Sequence, residues 1–232
     1  MLSIETLSGE ELRADSALQS AINRLASPSY VNPTAILKRE FIECTKAYLA
    51  RDAANELICF YLTAWHKLPV NSMELPAVHL GLSATRQDTK SRGHITTLYS
   101  KCVEDAQAWQ KTHGEKLVLW STTASPTVYL AVSGYLADAE PRPDGSYTER
   151  GATVAAALHR RLGRVPPGED DHPFVVKGVA IGTRYSSEEL GRIERITRLK
   201  QFVLFHHLGV DESQHDRLLF IARIPDDFRG RN

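Results

Sequence analysis

The segment from Val78 to Trp109 constrains the fold of this chain more than any other. It contains V-H-L-G-L-S-A-T over Val78–Thr85, which is typical of a strand, followed by a polar loop over Arg86–His94 and an amphipathic helix. A strand, a basic turn with a glycine and a helix, in this order, present free backbone NH groups and a helix dipole to a phosphate. The segment therefore predicts a phosphorylated ligand.

The helix after the loop is predicted from its periodicity. Apolar residues recur at spacings of three and four, at Ile95, Leu98, Cys102, Ala106 and Trp109. We expect the helix to end near Gly114, which suits a left-handed cap. At its entrance, Gly93 lets a ligand approach the main chain closely, although the same residue can simply relieve a tight turn. The motifs G-x-x-x-x-G-K-[ST] and G-x-G-x-x-G are missing, which argues against a nucleotide loop.

Further strands and helices are predicted on both sides of this segment. The predicted strands are Lys46–Arg51, Glu56–His66, Lys116–Ser121, Phe174–Ile181 and Arg217–Ile224. The predicted helices are Glu10–Leu25, Pro33–Cys44, a short helix from Ser125 to Gly134, Thr148–Leu162 and a helix after Ser186. Pro126 at a first helical position and the S-S-E-E capping box at Ser186 mark two of the helix starts.

The order of these elements and the loop K-S-R-G-H-I resemble the GNAT N-acetyltransferase superfamily, whose members move an acyl group from coenzyme A to an amine. In that family the loop after the fourth strand carries [RQ]-x-x-G-x-[GA]. Here Lys90 stands in place of the Arg or Gln, and Ile95 in place of the small residue. The resemblance covers roughly Lys46 to Tyr135.

The resemblance implies an α/β fold with a mixed, mostly antiparallel central sheet flanked by helices. We expect a single domain over residues 1–232, with N-terminal helices over 1–45 and an acyl-CoA-binding core over 46–135. Residues 136–232 would form a C-terminal strand-helix-strand extension that completes the sheet at its far edge. A separate domain of about 60 residues would be marginally stable.

The resemblance also implies acetyl-CoA, or another acyl-CoA, as the co-substrate. Main-chain NH groups of the loop would hold the pyrophosphate, and the cations of Lys90 and Arg92 would add charge. The residues predicted to bind the coenzyme are Ala84, Thr85, Lys90, Ser91, Arg92, Gly93, His94, Ile95 and Thr96.

Catalysis by direct attack requires a neutral amine, and the departing thiolate must be protonated or stabilised. Tyr129, followed by the pair Gly134-Tyr135 one residue later than in the family's pattern, is the implied general acid. Glu74 and His79 are the candidates for the base that takes the proton from the amine. Each has a structural alternative: Glu74 can begin a strand, His79 can be a hydrogen-bonded core residue, and Tyr129 can pack on the sheet.

Composition narrows the classes of partner. The 28 basic and 28 acidic residues of the 232 balance, so nucleic acid is not indicated as a partner. The sequence contains no run of about 18 apolar residues, so no membrane span is predicted. The polar, acidic opening segment is unlike a signal peptide. We therefore expect a cytoplasmic protein. No metal site is expected either, because His206, His207, Asp211 and His215 lack an established ligand spacing.

Two functions are left open by the sequence. The first is an N-acyltransferase, with an amine acceptor whose class the sequence does not identify. The alternative is a module on the same fold that binds acyl-CoA or a protein partner without turnover. The acyl chain, the possibility of a homodimer and the role of the C-terminal extension are also open. A serine hydrolase is disfavoured because G-x-S-x-G is missing.

Overall fold

A computed structural model provides the structure of residues 2–90, 92–134, 136–168, 170–180, 184–199 and 203–225. The strands are β1 (Ser3–Ser8), β2 (Lys46–Arg51), β3 (Leu57–Val70), β4 (Met73–Thr85), β5 (Val118–Thr123), β6 (Ala137–Glu140), β7 (Val175–Val176) and β8 (Arg217–Arg223). The helices are α1 (Gly9–Ala14), α2 (Ser16–Ala26), α3 (Pro33–Glu43), α4 (His94–His113), α5 (Pro126–Ser133), α6 (Glu149–Arg161), α7 (Ser187–Leu199) and α8 (Leu204–His207).

All eight strands form one sheet in the order β1-β2-β3-β4-β5-β8-β6, with β7 also paired to β8. The pairing is antiparallel throughout except between β4 and β5, which run parallel. The predicted fold class is therefore confirmed. The extension supplies β6, β7 and β8, which continue the sheet beyond β5, at the end opposite β1. Within the extension the edge strand is β6, and β8 lies between it and β5. The sequence of β8, R-L-L-F-I-A-R, is apolar at consecutive positions, as is usual for an interior strand.

Strand β1 was not predicted from the sequence. It pairs with β2 from Ser3 opposite Arg51 to Ser8 opposite Lys46. Five of its six residues are exposed, so no alternation of buried and exposed side chains marks it as a strand. It ends where Ser8 and Glu11 form a capping box that begins α1.

Successive strand residues point to opposite sides of the sheet, so the sheet contributes to two separate cores. Different helices cover the two faces. On one face, Leu49, Phe60 and Leu62 belong to a core completed by α1, α2 and α3. On the other face, Tyr48 and Tyr61 belong to a core that includes side chains of α4, α5 and α6. Within the described ranges, no helix is both long and apolar enough to cross a membrane.

The strand predicted over Phe174–Ile181 is much shorter in the structure. Only Val175 and Val176 pair with β8, and Gly178 adopts a φ of 58°. That left-handed conformation ends the regular strand, although the Ala180 NH still donates to the His215 carbonyl at 3.0 Å. Ile181 lies outside the described residues.

Candidate functional site

Strands β4 and β5 separate part of the way along the sheet. They form three parallel pairs, of which the last joins His79 to Trp120. One residue further, the Ser121 hydroxyl donates a 2.6 Å hydrogen bond to the Leu80 carbonyl. Beyond this point β4 continues beside β3, and β5 continues beside β8. The result is a V-shaped opening, and the backbone edge on its β4 side pairs with no other strand of the described residues.

A bulge in β4 lies at the start of the opening. Tyr61 pairs with Ser83 and Thr63 with Leu80, so Gly81 and Leu82 together face a single residue of β3. A Cβ atom on Gly81 would lie 2.7 Å from the Glu40 carboxylate. The absence of a side chain at Gly81 therefore lets Glu40 of α3 approach the backbone where the strands part.

Two cavities meet at this opening. The first, of about 440 Å³, lies beside the start of α4 and is called the α4 cavity. The second, of about 510 Å³, lies beside α3 and is called the α3 cavity. The residues that line both are Tyr30, Leu80, Gly81, Ser83, Ser121, Val128 and Tyr185. The two cavities are therefore adjacent at the point where β4 and β5 separate.

The α4 cavity collects most of the predicted coenzyme-binding residues. Those that line it are Ala84, Thr85, Lys90, Gly93, His94, Ile95 and Thr96. Arg92 differs from this expectation: it is exposed, and its backbone NH donates to the Thr89 carbonyl at 3.2 Å. Ser91 lies outside the described residues.

Helix α4 opens on this cavity with an uncapped N-terminus. Gly93 precedes the helix with a φ of 80°, and no side chain caps the first turn. The first intrahelical bond runs from the Thr97 NH to the Gly93 carbonyl. The NH groups of His94, Ile95 and Thr96 come before that bond and so have no partner within the helix. Together with the helix dipole they can accept an anion.

Lys90 lines the α4 cavity, but its ammonium is already paired with a carboxylate. Its ammonium lies 2.8 Å from Glu189 and 3.2 Å from the Ser29 hydroxyl. Glu189 also binds Arg192, which lines the same cavity. Burial opposes ionisation of Glu189, but the hydrogen bonds from Arg192 and Lys90 keep its pKa below the ordinary value. The sequence did not place Arg192 beside the loop, because α7 is far from the loop along the chain.

The predicted base Glu74 lies far from both cavities, which corrects this assignment. It is exposed near the hairpin end of β4, and its carboxylate lies 3.9 Å from Lys67. The first residue of β4 that lines the α3 cavity is His79, five residues further along the strand, a distance of roughly 17 Å. The sequence placed the start of the strand near Val78, which made Glu74 look closer to the loop.

His79 lies in the wall of the α3 cavity. Its ring stacks on Trp120 with a centroid distance of 4.1 Å. Burial lowers the pKa of His79 to about 4, so the imidazole is neutral at neutral pH. A neutral imidazole can accept a proton, but so low a pKa makes it a weak base.

Tyr129 is fully buried and does not line either cavity. Its hydroxyl donates a 2.6 Å hydrogen bond to the Pro141 carbonyl, and its ring meets Phe205 and Phe220 edge to face. Burial raises its pKa to about 12. The structure thus gives Tyr129 a packing role, and its role as general acid stays a prediction.

Replacing Tyr129 with Phe tests these two roles. We expect a loss of about 1–2 kcal/mol of unfolding free energy, because the buried Pro141 carbonyl loses its donor. We also expect an unchanged kcat per folded molecule, measured by release of the coenzyme thiol. A tenfold fall in kcat at an unchanged KM would instead assign the proton transfer to Tyr129.

Glu40 is a second site residue that the sequence did not indicate. Its side chain is only 12% exposed, and it lines the α3 cavity beside Gly81. Burial raises its pKa above the ordinary value, although Arg39 and the Leu82 backbone NH partly oppose this shift. A carboxylate with a raised pKa is a better proton acceptor at neutral pH than an exposed one. It was missed because the sequence does not show which face of α3 contacts the bulge.

Two chain segments cross over the junction of the cavities. The rings of Tyr30 and Tyr185 stack at 5.5 Å, and the Tyr30 hydroxyl donates to the Ser83 carbonyl at 3.1 Å. The segments also exchange backbone bonds, from the Val31 NH to Arg184 and from the Ser186 NH to Ser29. We call residues 28–31 and 184–186 the clasp. It covers the point at which the strands separate.

The solved structures that this chain resembles include N-acetyltransferases. A probable N-acyltransferase from Enterococcus faecalis matches at 12% identity and a TM-score of 0.41, over 56% of this chain and 31% of that one. The N-acetyltransferase YhbS of the GNAT family from Escherichia coli, in complex with CoA, matches at 16% identity and a TM-score of 0.41, over 57% and 67%. AtaT in complex with acetyl-methionyl-tRNA matches at 14% identity and a TM-score of 0.40, over 58% and 85%.

Each of these matches is a likeness of fold alone, and it extends over little more than half of this chain. This chain spans less than a third of the Enterococcus protein. No protein-family model matches the sequence, and no curated protein matches it significantly.

Proposed function

We propose that this protein is an acyl-CoA-dependent N-acyltransferase that transfers an acyl group, in the first instance acetyl, to an amine by direct attack. The observation that carries the proposal is the opening between β4 and β5, where the α4 cavity and the α3 cavity meet. One cavity offers an anion site at a helix N-terminus, and the other offers a mostly buried carboxylate. A reaction between an acyl-CoA and an amine uses both, because the coenzyme carries phosphates and the ammonium must lose a proton before it attacks.

The coenzyme would occupy the α4 cavity. Its pyrophosphate would accept hydrogen bonds from the NH groups of His94, Ile95 and Thr96 at the start of α4. Lys90 and Arg192 would add positive charge on exchanging Glu189 for the phosphates. The amide groups of the pantetheine arm could pair with the edge of β4 that no strand of the described residues covers, in exchange for the Tyr30 bond to the Ser83 carbonyl, as the arm runs towards Gly81. The acyl group would then arrive at the junction of the cavities.

The amine would occupy the α3 cavity, with Glu40 as the base. Glu40 removes a proton from the ammonium, and the neutral nitrogen attacks the thioester carbonyl. The new C–N bond forms as the C–S bond breaks, and the thiolate leaves with the electron pair of that bond. The nitrogen carries a positive charge after the attack, so it releases its second proton as the amide forms, and that proton passes to the thiolate sulfur. The hydroxyls of Ser125 and Thr127, which lie 2.7 Å apart and line the α4 cavity, can stabilise the thiolate until it is protonated.

Titration of the purified protein with acetyl-CoA in a calorimeter tests the proposal. We expect saturable binding with one molecule of coenzyme per chain, followed by thiol release when amines are added. Because the phosphate contacts are ionic, affinity should fall as salt concentration is raised. A folded protein that does not bind acetyl-CoA would contradict the proposal and favour the partner-binding module, with the clasp and the Lys90–Glu189 pair keeping the cleft closed.

A further inference from the structure

The α3 cavity has an uneven distribution of charge. Four guanidinium groups line it, those of Arg39, Arg161, Arg164 and Arg217, against the two carboxylates of Glu40 and Glu43. These residues belong to different helices: Arg39, Glu40 and Glu43 lie on α3, whereas Arg161 is the last residue of α6. The cavity therefore has an acidic group near the opening of the strands and an excess of positive charge around it.

Most of these cations are held by neighbouring groups of the protein. Arg217 is 4% exposed and lies 3.7 Å from Glu212, while Arg164 donates to the Gly178 carbonyl. Arg39 lies 3.6 Å from Glu40. Arg161 is different: within the described ranges its side chain forms no hydrogen bond and no ion pair. It is thus an available cation in the cavity wall.

Arg161 and the charged residues of α3 lie close to the same residue, His79. Arg161, Arg39 and Glu43 all act electrostatically on the ring of His79, the first two lowering its pKa and Glu43 raising it. Burial is the largest cause of the low pKa of His79, and the neutral imidazole adds no charge to the cavity. A bound molecule would therefore meet negative charge at α3 and an unpaired positive charge at the end of α6.

We infer that the acceptor is a small amine that also carries an anionic group, either a carboxylate or a phosphate. The ammonium faces Glu40 at the opening, and the anion faces Arg161. A guanidinium suits either anion, because its NH groups match two oxygens at once. The volume of about 510 Å³ is in the range of small-molecule sites, and the clasp of residues 28–31 and 184–186 covers the junction. This inference rests on the proposed function, whose acceptor it specifies.

Equilibrium binding of four amines tests the inference: β-alanine, O-phosphoethanolamine, ethanolamine and 1,4-diaminobutane. Each is titrated into protein saturated with CoA, which lacks the acyl group, so that no reaction occurs. We expect at least one of the two anionic amines to bind about tenfold or more tightly than ethanolamine, and the diamine to bind most weakly. Comparing β-alanine with O-phosphoethanolamine then identifies which anion is preferred. Equal affinities, preference for the diamine or no binding of any amine would overturn the inference.

Variants of two adjacent arginines locate the anion site. Arg161→Gln should abolish the preference for the anionic amine, and Arg161→Glu should reverse it in favour of the diamine. Arg160→Gln is the matched control, because Arg160 is exposed on the same helix, as Arg161 is, but does not line the α3 cavity and projects about 100° away. A preference that survives in Arg161→Glu, or that disappears equally in Arg160→Gln, would remove Arg161 from the site.

The inference and the proposed function fail in different ways. If the protein binds CoA but does not distinguish the amines, the acceptor class is wrong and the acyltransferase proposal stands. If CoA does not bind, the proposed function fails. The four amines are then titrated into the coenzyme-free protein, where the same order of affinities is expected if the α3 cavity binds anionic amines by itself.

Discussion

Glu40→Gln is expected to lower kcat/KM by roughly 100-fold or more, the usual effect of removing a general base. The amide keeps the shape of the side chain but cannot take a proton from the ammonium. Binding of acetyl-CoA should be unchanged, because Glu40 lines the α3 cavity and not the α4 cavity. The measurement is the initial rate of thiol release at varied amine concentration, beside calorimetric titration of the coenzyme.

The same substitution is expected to stabilise the fold at neutral pH. Burial raises the pKa of Glu40 in the folded protein above its unfolded value, so the folded state prefers the protonated form. Its favourable contribution is therefore complete below the unfolded pKa and is lost as pH rises through the folded pKa. Glutamine resembles the protonated acid at every pH. Tm of the variant should exceed that of the native protein near pH 7, and the difference should vanish in acid.

This pairing of lost activity with gained stability distinguishes a catalytic carboxylate from a structural one. Glu10→Gln, which alters an exposed carboxylate in the first turn of α1, is the control. It should leave kcat/KM unchanged and should not raise Tm, because the helix dipole favours a negative charge at that position. A variant of Glu40 that turns over at the native rate would remove it from the mechanism. A fall in Tm near pH 7 would show instead that its carboxylate is needed to hold α3 against β4.

Gly93→Leu is expected to weaken acetyl-CoA binding at least tenfold. The left-handed φ of 80° opposes any side chain at this position, at a cost of about 1–2 kcal/mol. A Leu side chain would also enter the space that the pyrophosphate needs, since nothing lies within 4 Å of its Cβ. Calorimetric titration of the variant gives the change in affinity, and thermal unfolding gives the change in stability.

Gly114→Leu supplies a closely matched control for this substitution. Gly114 has a φ of 68°, its Cβ would also meet nothing within 4 Å, and it ends the same helix. The two glycines flank a helix of 20 residues, which separates them by about 30 Å. Both variants should lose similar stability, but only Gly93→Leu should lose affinity. Equal affinities in the two variants would remove the start of α4 from the coenzyme site.

Local patterns predicted the parts of the structure that depend on neighbouring residues. Helix α4 begins and ends within a residue of its predicted limits, at Gly93 and Gly114, because its periodicity and its glycines act over one or two turns. Strand β2 was predicted at its observed limits, Lys46–Arg51. By contrast, β1 has almost no buried face and exists only through its pairing with β2. The pattern of the six residues of β1 carries no information about a pairing with a distant strand.

The residues of the candidate site also fall into two groups, those that are close along the chain and those that only packing brings together. The loop residues of the α4 cavity are close together along the chain, so a spacing rule was enough to identify Gly93 and its neighbours. Glu40 and Gly81 are 41 positions apart, and Arg192 is further still from the loop that it faces. Their juxtaposition depends on how α3 and α7 pack against the sheet.

The sequence by itself determined the α/β class, the strand-loop-helix unit and the glycine that opens α4, because periodicity and backbone conformation are local properties. Only the tertiary structure decided that β8 lies inside the sheet, that Glu74 lies at a distant hairpin, that Tyr129 is engaged by Pro141 and that Glu40 reaches the opening of β4 and β5. Those outcomes depend on long-range packing and on the burial of charge, which are properties of the assembled chain.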